Sequence, residues 1–243
     1  MGKGRYKLLD FLLPPRCLLC GSSHILAPDI HLCAPCRDDL PLNAHACVQC
    51  AIPLEVTASD RGEHRCGSCL ISPPDYSRSW SPFIYAQPLE WMIQQLKFNA
   101  RLHFAPLLSA LMQQQLSEGL RNTGAEVMIP LPLHKRRMKQ RGFNQSQLLL
   151  KPLASALGLP VDNGCCRRIR HTEHQTGKNA RQRKQNIRGA FVFDNQRQYR
   201  HVILFDDVVT TGSSVGEMCK VLKQGGVEKI DVWSLARAEK KYP

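Results

Sequence analysis

Apolar and polar positions follow two rhythms along the chain. After Pro88 the apolar residues Leu89, Met92, Ile93 and Leu96 recur at helical spacing and predict one amphipathic helix; Leu107, Leu108, Leu111 and Met112 predict a second. Short unbroken runs follow. Val127 to Leu133, interrupted by Pro130 and Pro132, predicts a buried strand leaving its sheet. A helix is expected from about Ser146 to Leu157, closed by Gly158 and Pro160. Ala190 to Phe193 and His201 to Phe205 predict strands, Ser214 to Lys223 a helix ending at Gly225-Gly226, and Ile230 to Leu235 a last strand. Such alternation predicts an α/β fold, a parallel sheet with helices on both faces. Six of the sixteen aromatic residues, Trp80, Phe83, Tyr85, Trp91, Phe98 and Phe104, accompany the first two helices and are expected in the core rather than on a stacking surface.

Upstream of Ser72-Pro73-Pro74 the rhythm is absent and cysteine takes its place. Eight of eleven cysteines form four identical pairs: Cys17-x-x-Cys20, Cys33-x-x-Cys36, Cys47-x-x-Cys50 and Cys66-x-x-Cys69. Two intervening residues let both sulfurs turn toward one ion, and a tetrahedral Zn²⁺ site takes two such pairs. Two structural zinc sites are therefore expected. Sequential use (Cys17, Cys20, Cys33 and Cys36 on one ion; Cys47, Cys50, Cys66 and Cys69 on the other) is the preferred arrangement, and an interleaved one satisfies the spacing equally. With eight thiolates available, His24, His31, His45 and His64 have no necessary role as ligands. Cys165, Cys166 and Cys219 stand outside the pairs as buried or incidental thiols. The expected organisation is a small zinc-ribbon domain at residues 1–74 and a larger α/β domain at 75–243. Apolar stretches such as Leu8 to Leu13 are too short to span a membrane, and Asp10 spoils any likeness to a signal peptide, so a cytoplasmic protein without a membrane span is expected.

The formal charge of +13 is unevenly placed. Residues 1–79 carry eight basic and eight acidic side chains, whereas His134 to Arg188 carry fourteen basic and two acidic. Such a surplus repels itself unless an anion shares the region, so a phosphate-rich ligand or polyanion is the natural partner.

The most informative segment runs from Val202 to Ser214, VILFDDVVTTGSS. An apolar strand delivers Asp206 and Asp207 to the carboxyl edge of the sheet, where open α/β sheets bind ligands. Thr210, Thr211, Gly212, Ser213 and Ser214 then open a helix. Its free amides and dipole favour a phosphate, Gly212 lets the backbone approach, and the hydroxyls donate. Carboxylates need donors, which sugar hydroxyls supply and ionised phosphate oxygens cannot. A sugar phosphate satisfies both halves, while the missing Gly-Lys-Ser or Gly-Lys-Thr argues against a Walker loop.

These thirteen residues resemble the signature of the type I phosphoribosyltransferases. The wider order of motifs resembles the ComF/GntX family of competence-associated proteins: four cysteine pairs, Leu96-Lys97-Phe98, Pro130-Leu131-Pro132, Arg141-Gly142-Phe143-Asn144-Gln145, Gln175-Thr176, Arg183, Asn186 and the acid-bearing loop. The resemblance implies binding of phosphoribosyl pyrophosphate (PRPP), with Mg²⁺ on its pyrophosphate and ribose oxygens. It also implies displacement of pyrophosphate by a nucleophile at the anomeric carbon. Asp206, Asp207, Arg183 and Lys178 are the implied catalytic residues, the last two in a flexible loop within Arg170 to Asn186. Thr210 to Ser214 would hold the 5′-phosphate, and Arg141, Asn144, Gln145 and Arg181 are candidates for substrate or pyrophosphate contact. Asn144 and Gln145 fit a helix start equally well. Through DNA uptake, the resemblance also carries a single-stranded DNA-handling alternative, other DNA-uptake proteins as partners, and a PRPP sensor without turnover.

Overall fold

The computed structural model describes residues 16–23, 30–55, 62–171 and 185–239. Helices α1 (Ala34–Asp38) and α2 (Gly67–Ile71) are single turns that begin directly after Cys33 and Cys66. The other two pairs close tight turns, with the Gly21 amide donating to the Cys17 carbonyl at 2.9 Å and the Ala51 amide to that of Cys47 at 2.7 Å. Each turn presents two sulfurs on one side.

Beyond residue 72 the chain forms strands β1 (Arg78–Trp80), β2 (Phe83–Ile84) and β3 (Val127–Pro130), with helices α3 (Leu89–Asn99), α4 (Phe104–Gln114) and α5 (Glu118–Arg121) between them. Then come α6 (Lys135–Arg141), α7 (Gln145–Leu157), β4 (Cys166–Arg168), β5 (Phe191–Phe193), β6 (His201–Val209), α8 (Ser213–Gln224) and β7 (Lys229–Arg237). Strands β3, β6 and β7 lie side by side, and β1 and β2 pair successively with the far side of β7, every pairing parallel. The period of two along β6 divides the interior. Ile203 and Phe205 join the apolar stripes of α3, α4 and α7 on one face; Val202 and Leu204 meet Val215, Met218, Cys219 and Leu222 of α8 on the other. Helices thus cover both faces, as the alternation predicts.

Three elements differ from the expectation. Strand β5 leaves the main sheet to pair antiparallel with β4, giving a separate two-stranded ribbon. Strand β6 continues past Phe205 through both aspartates to Val209, because their side chains find donors and the backbone keeps its partners on β7. The segment KRRMKQR forms α6, a helix with no buried residue and therefore no apolar stripe to announce it. The aromatic expectation holds for Phe83 and Phe104, which are buried, and fails for Phe98, which is 73% exposed. Residue 98 lies about 200° around α3 from Leu96, away from the stripe that packs.

The cysteine region packs into the same molecule. Cys17, Ile30, Leu32, Cys33 and Leu40 share a core with Phe83 and Leu108, whereas Cys47, Ile52 and Cys69 form a small cluster of their own. No helix among the described residues is long and apolar enough to cross a membrane.

Candidate functional site

The structure settles the cysteine pairing as sequential. The sulfurs of Cys17, Cys20, Cys33 and Cys36 lie within 4.8 Å of one another, and so do those of Cys47, Cys50, Cys66 and Cys69. A tetrahedral ion with Zn–S bonds of about 2.3 Å places its sulfurs about 3.8 Å apart. Cys20 and Cys33 stand at 3.6 Å and Cys50 and Cys66 at 3.7 Å. Electrostatics supports the same reading. Burial opposes ionisation of Cys17, but the backbone amides of Cys20, Cys33 and Leu19 outweigh it and lower this thiol to about 6. Burial and then the neighbouring sulfurs push Cys36 far upward. Four thiols this close repel one another as thiolates, and a shared dication relieves that repulsion. The donor set fits Zn²⁺.

The second site lies at the carboxyl end of β6. Asp207 is almost wholly buried and is met from two directions: the Lys97 ammonium of α3 pairs with Oδ2, and Gln145 Nε2 donates to Oδ1 at 3.0 Å. Asp206 Oδ1 accepts from Ser146 Oγ at 3.0 Å and from the Asp207 amide at 2.9 Å. Two like charges on adjacent residues drive their titrations apart. Burial raises Asp206, the Asp207 charge raises it further, and together they bring it to about 8 despite Lys97. Burial would raise Asp207 too, but the Lys97 charge and the Lys97 and Gln145 hydrogen bonds hold it below the ordinary carboxylate range.

The loop after β6 has the form expected. Gly212 takes a left-handed backbone, φ +74°, and caps α8 without a side-chain hydrogen bond. A Cβ there would meet only Val209 Cγ1 at 4.0 Å, so glycine is required by conformation rather than by space. Thr210 and Thr211 are exposed, Ser213 and Ser214 partly so, and the Thr211 and Ser213 hydroxyls stand 2.9 Å apart. The first turn of α8 carries no acidic residue. Nothing negative competes there with an incoming anion.

The remaining sequence candidates separate. Asn144 is the N-cap of α7, accepting from the Ser146 amide at 3.0 Å and donating to the Leu131 carbonyl at 3.1 Å. Gln145 is drawn inward to Asp207 and also accepts from Arg141. Arg141 is thereby one hydrogen bond removed from the acid pair, and its guanidinium lies 5.7 Å from the Phe98 ring centroid. Lys178, Arg181 and Arg183 lie outside the described residues, as do Gln175 and Thr176. Two cations near the edge are lowered, Arg137 by burial and then by Arg141, Arg168 by burial and then by Arg137, which marks a cluster with surplus positive charge.

Sequence reasoning missed two contributors. Lys97 was visible only as part of a motif, because its partner is 110 positions away. Arg237, at the end of β7, is 6% exposed, and its guanidinium donates to backbone carbonyls: Nη1 to Val209 at 2.8 Å, to Ala238 at 3.1 Å and to Thr210, and Nε to Cys50 at 2.9 Å. It joins the second cysteine quartet to the start of the hydroxyl-rich loop. The closest sequence signal is an arginine ending an apolar strand, which is too common to indicate this.

Comparison with known proteins adds a family context. The double zinc ribbon domain matches residues 8–70. Over 228 residues the chain is 36% identical to DNA utilization protein YhgH of Salmonella typhimurium, covering 93% of this chain and 98% of that protein. It is 35% identical over 230 residues to competence protein F of Haemophilus influenzae, covering 92% and 97%. Competence protein ComFC of Bacillus subtilis is 25% identical over 252 residues, covering 98% of each. Among solved structures, adenine phosphoribosyltransferase from Thermoanaerobacter pseudethanolicus aligns with a TM-score of 0.33 and 15% identity, covering 55% of this chain and 85% of that one. A likeness of that degree carries no argument about chemistry.

Proposed function

The chain belongs to the family of DNA utilization protein YhgH and competence protein F, and from that premise we propose that the edge of its sheet binds PRPP. The carrying observation is a buried carboxylate, Asp207, and the partly buried Asp206 beside it, both held by exchangeable side-chain donors, one loop away from a helix start whose first turn carries no acid. In this reading ribose hydroxyls take the places now held by Ser146 Oγ, Gln145 Nε2 and Lys97 Nζ, each of which donates to a carboxylate as a hydroxyl would. The 5′-phosphate lies against Thr210 to Ser214. Lys97, released from Asp207, and Arg141 then face the pyrophosphate. Preorganised cations aimed at a leaving group that gains charge lower the barrier to its departure. Lys178, Arg181 and Arg183 remain candidates from the sequence for the same task.

Outside the two cysteine quartets, no cluster of three metal-ligating side chains occurs among the described residues, and both aspartates already hold donors. Among the described residues there is no cage for Mg²⁺, and in this reading the ion arrives with the substrate as Mg-PRPP.

Calorimetric titration with PRPP, with and without Mg²⁺, tests the reading. Saturable binding is expected in the wild type and a loss of at least roughly tenfold in Asp207→Asn, which removes a charged acceptor. Zinc-loaded protein that takes up no PRPP at saturating concentration overturns it. Turnover would appear as pyrophosphate release with a nucleobase acceptor; a sensor would bind without it. The proposed division into residues 1–74 and 75–243 is testable by expressing 75–243 alone.

A second reading, handling of single-stranded nucleic acid, is favoured by α6, whose seven residues hold Lys135, Arg136, Arg137, Lys139 and Arg141 with no acid. It predicts strand affinity that falls steeply with salt.

A further inference from the structure

Helix α3 buries Leu89, Met92, Ile93 and Leu96 and turns Phe98 outward, 73% exposed, in its last turn. A single exposed ring is ordinary on a protein surface; what distinguishes Phe98 is what surrounds it. Lys97, the preceding residue, is paired with Asp207, and the Arg141 guanidinium 5.7 Å from the ring centroid donates to Gln145, which donates to Asp207. The ring thus stands beside two cationic side chains that are both tied to Asp207, one directly and one through Gln145. The cation near it comes from α6, a helix with five basic residues in seven and no acid. An exposed aromatic face, a guanidinium beside it and a cationic helix leading to it are the elements by which proteins hold unpaired bases through stacking.

We propose that Phe98 is a stacking platform for a nucleobase, with Arg141 gripping the same ligand from the side. Placing the platform beside a phosphoribose site rests on the function proposed above; the platform itself rests on the exposure and contacts of Phe98. The base has two possible sources with one chemistry, a free acceptor at the sugar's anomeric carbon or a base of a single strand lying along α6.

The test uses the full zinc-loaded chain and the fluorescence of 2-aminopurine, which is quenched on stacking. One arm offers the free base in the presence of PRPP. The other offers an oligothymidylate carrying one 2-aminopurine. Quenching in either arm is expected for the wild type, and the arm that responds identifies the source. Phe98→Ala and Phe98→Leu should each weaken that binding roughly tenfold, the scale of one lost stack, while Phe98→Trp should retain it. Because the ring is exposed, all three variants should keep the wild-type melting temperature and zinc content. Wild-type affinity in both Phe98→Ala and Phe98→Leu, or a wild type that quenches neither probe, overturns the proposal. A wild type that fails to bind PRPP yet quenches the strand probe through Phe98 overturns the function proposed for the sheet edge and leaves the platform standing.

Discussion

In each cysteine quartet, four thiols from two neighbouring turns converge on one point, while at the sheet edge two carboxylates are met by donors from α3 and α7, 110 and about 60 residues away. Both regions concentrate like charge, and they relieve it differently. The quartets need an external dication. The edge relieves itself with Lys97, Gln145 and Ser146, side chains that are already present and can be exchanged for a ligand's donors. The first arrangement suits a structural centre, and the second suits the exchange of ligands proposed above.

The sharpest way to break this comparison is to remove the metal. Structural zinc contributes on the order of 10 kcal/mol to small ribbons, so chelation should unfold the turns that carry the two cysteine quartets. The two quartets should respond unequally. Cys17 and Cys33 belong to the core shared with Phe83 and Leu108, so Cys36→Ser should lower the melting temperature of the whole chain. Cys66→Ser should act mainly on the small cluster around Cys47 and Ile52. Melting curves recorded with zinc content decide the matter; identical curves for the two variants would show that the quartets are equivalent.

That contrast also explains what could be read from the chain. The quartets were legible because ligand chemistry repeats at a fixed local spacing; only the choice between sequential and interleaved pairing needed coordinates. The carboxyl edge was legible as a strand, two acids and a turn, since all of it lies within thirteen residues. Its charge balance was not. Neither periodicity nor composition links Lys97 to Asp207 or Arg237 to Cys50. The outward turn of Phe98 follows from helical spacing, since position 98 falls off the stripe of Leu89, Met92, Ile93 and Leu96, whereas regional aromatic composition does not distinguish it from its buried neighbours.

Arg237 ties the two regions together and so gives a smaller, more local test. Its guanidinium is satisfied by carbonyls of Cys50, Val209, Thr210 and Ala238. Arg237→Met removes the side-chain donor from all four carbonyls, of which Val209 keeps the Ala238 amide, and should cost about 3 kcal/mol. Hydrogen exchange should quicken together at residues 48–52 and 210–215, on both sides of the link. Arg237→Lys retains the charge but lacks the planar fork that reaches several carbonyls, and should recover only part of the loss. Faster exchange on one side alone would show that the two regions are merely adjacent.

The smallest expected effect is the pH dependence of the acid pair. Burial, and then the charge of Asp207, raise Asp206 from 3.8 to about 8. A carboxyl raised on folding keeps a proton that the unfolded chain releases, so the folded state loses stability as pH rises from about 4 toward 8 and loses no more above that. Partial solvent contact and the Lys97 charge moderate the decline, which should stay within about 2 kcal/mol. Asp206→Asn removes the titrating group and should flatten the melting profile across this window. Asp207 moves the opposite way, lowered by Lys97 and Gln145 against its burial, so its contribution is present at neutral pH and fades only in acid. A wild-type profile that rises between pH 5 and 8, or one unchanged by Asp206→Asn, would mean that the two carboxylates share their protons differently and that Asp206, not Asp207, is the permanently ionised member of the pair.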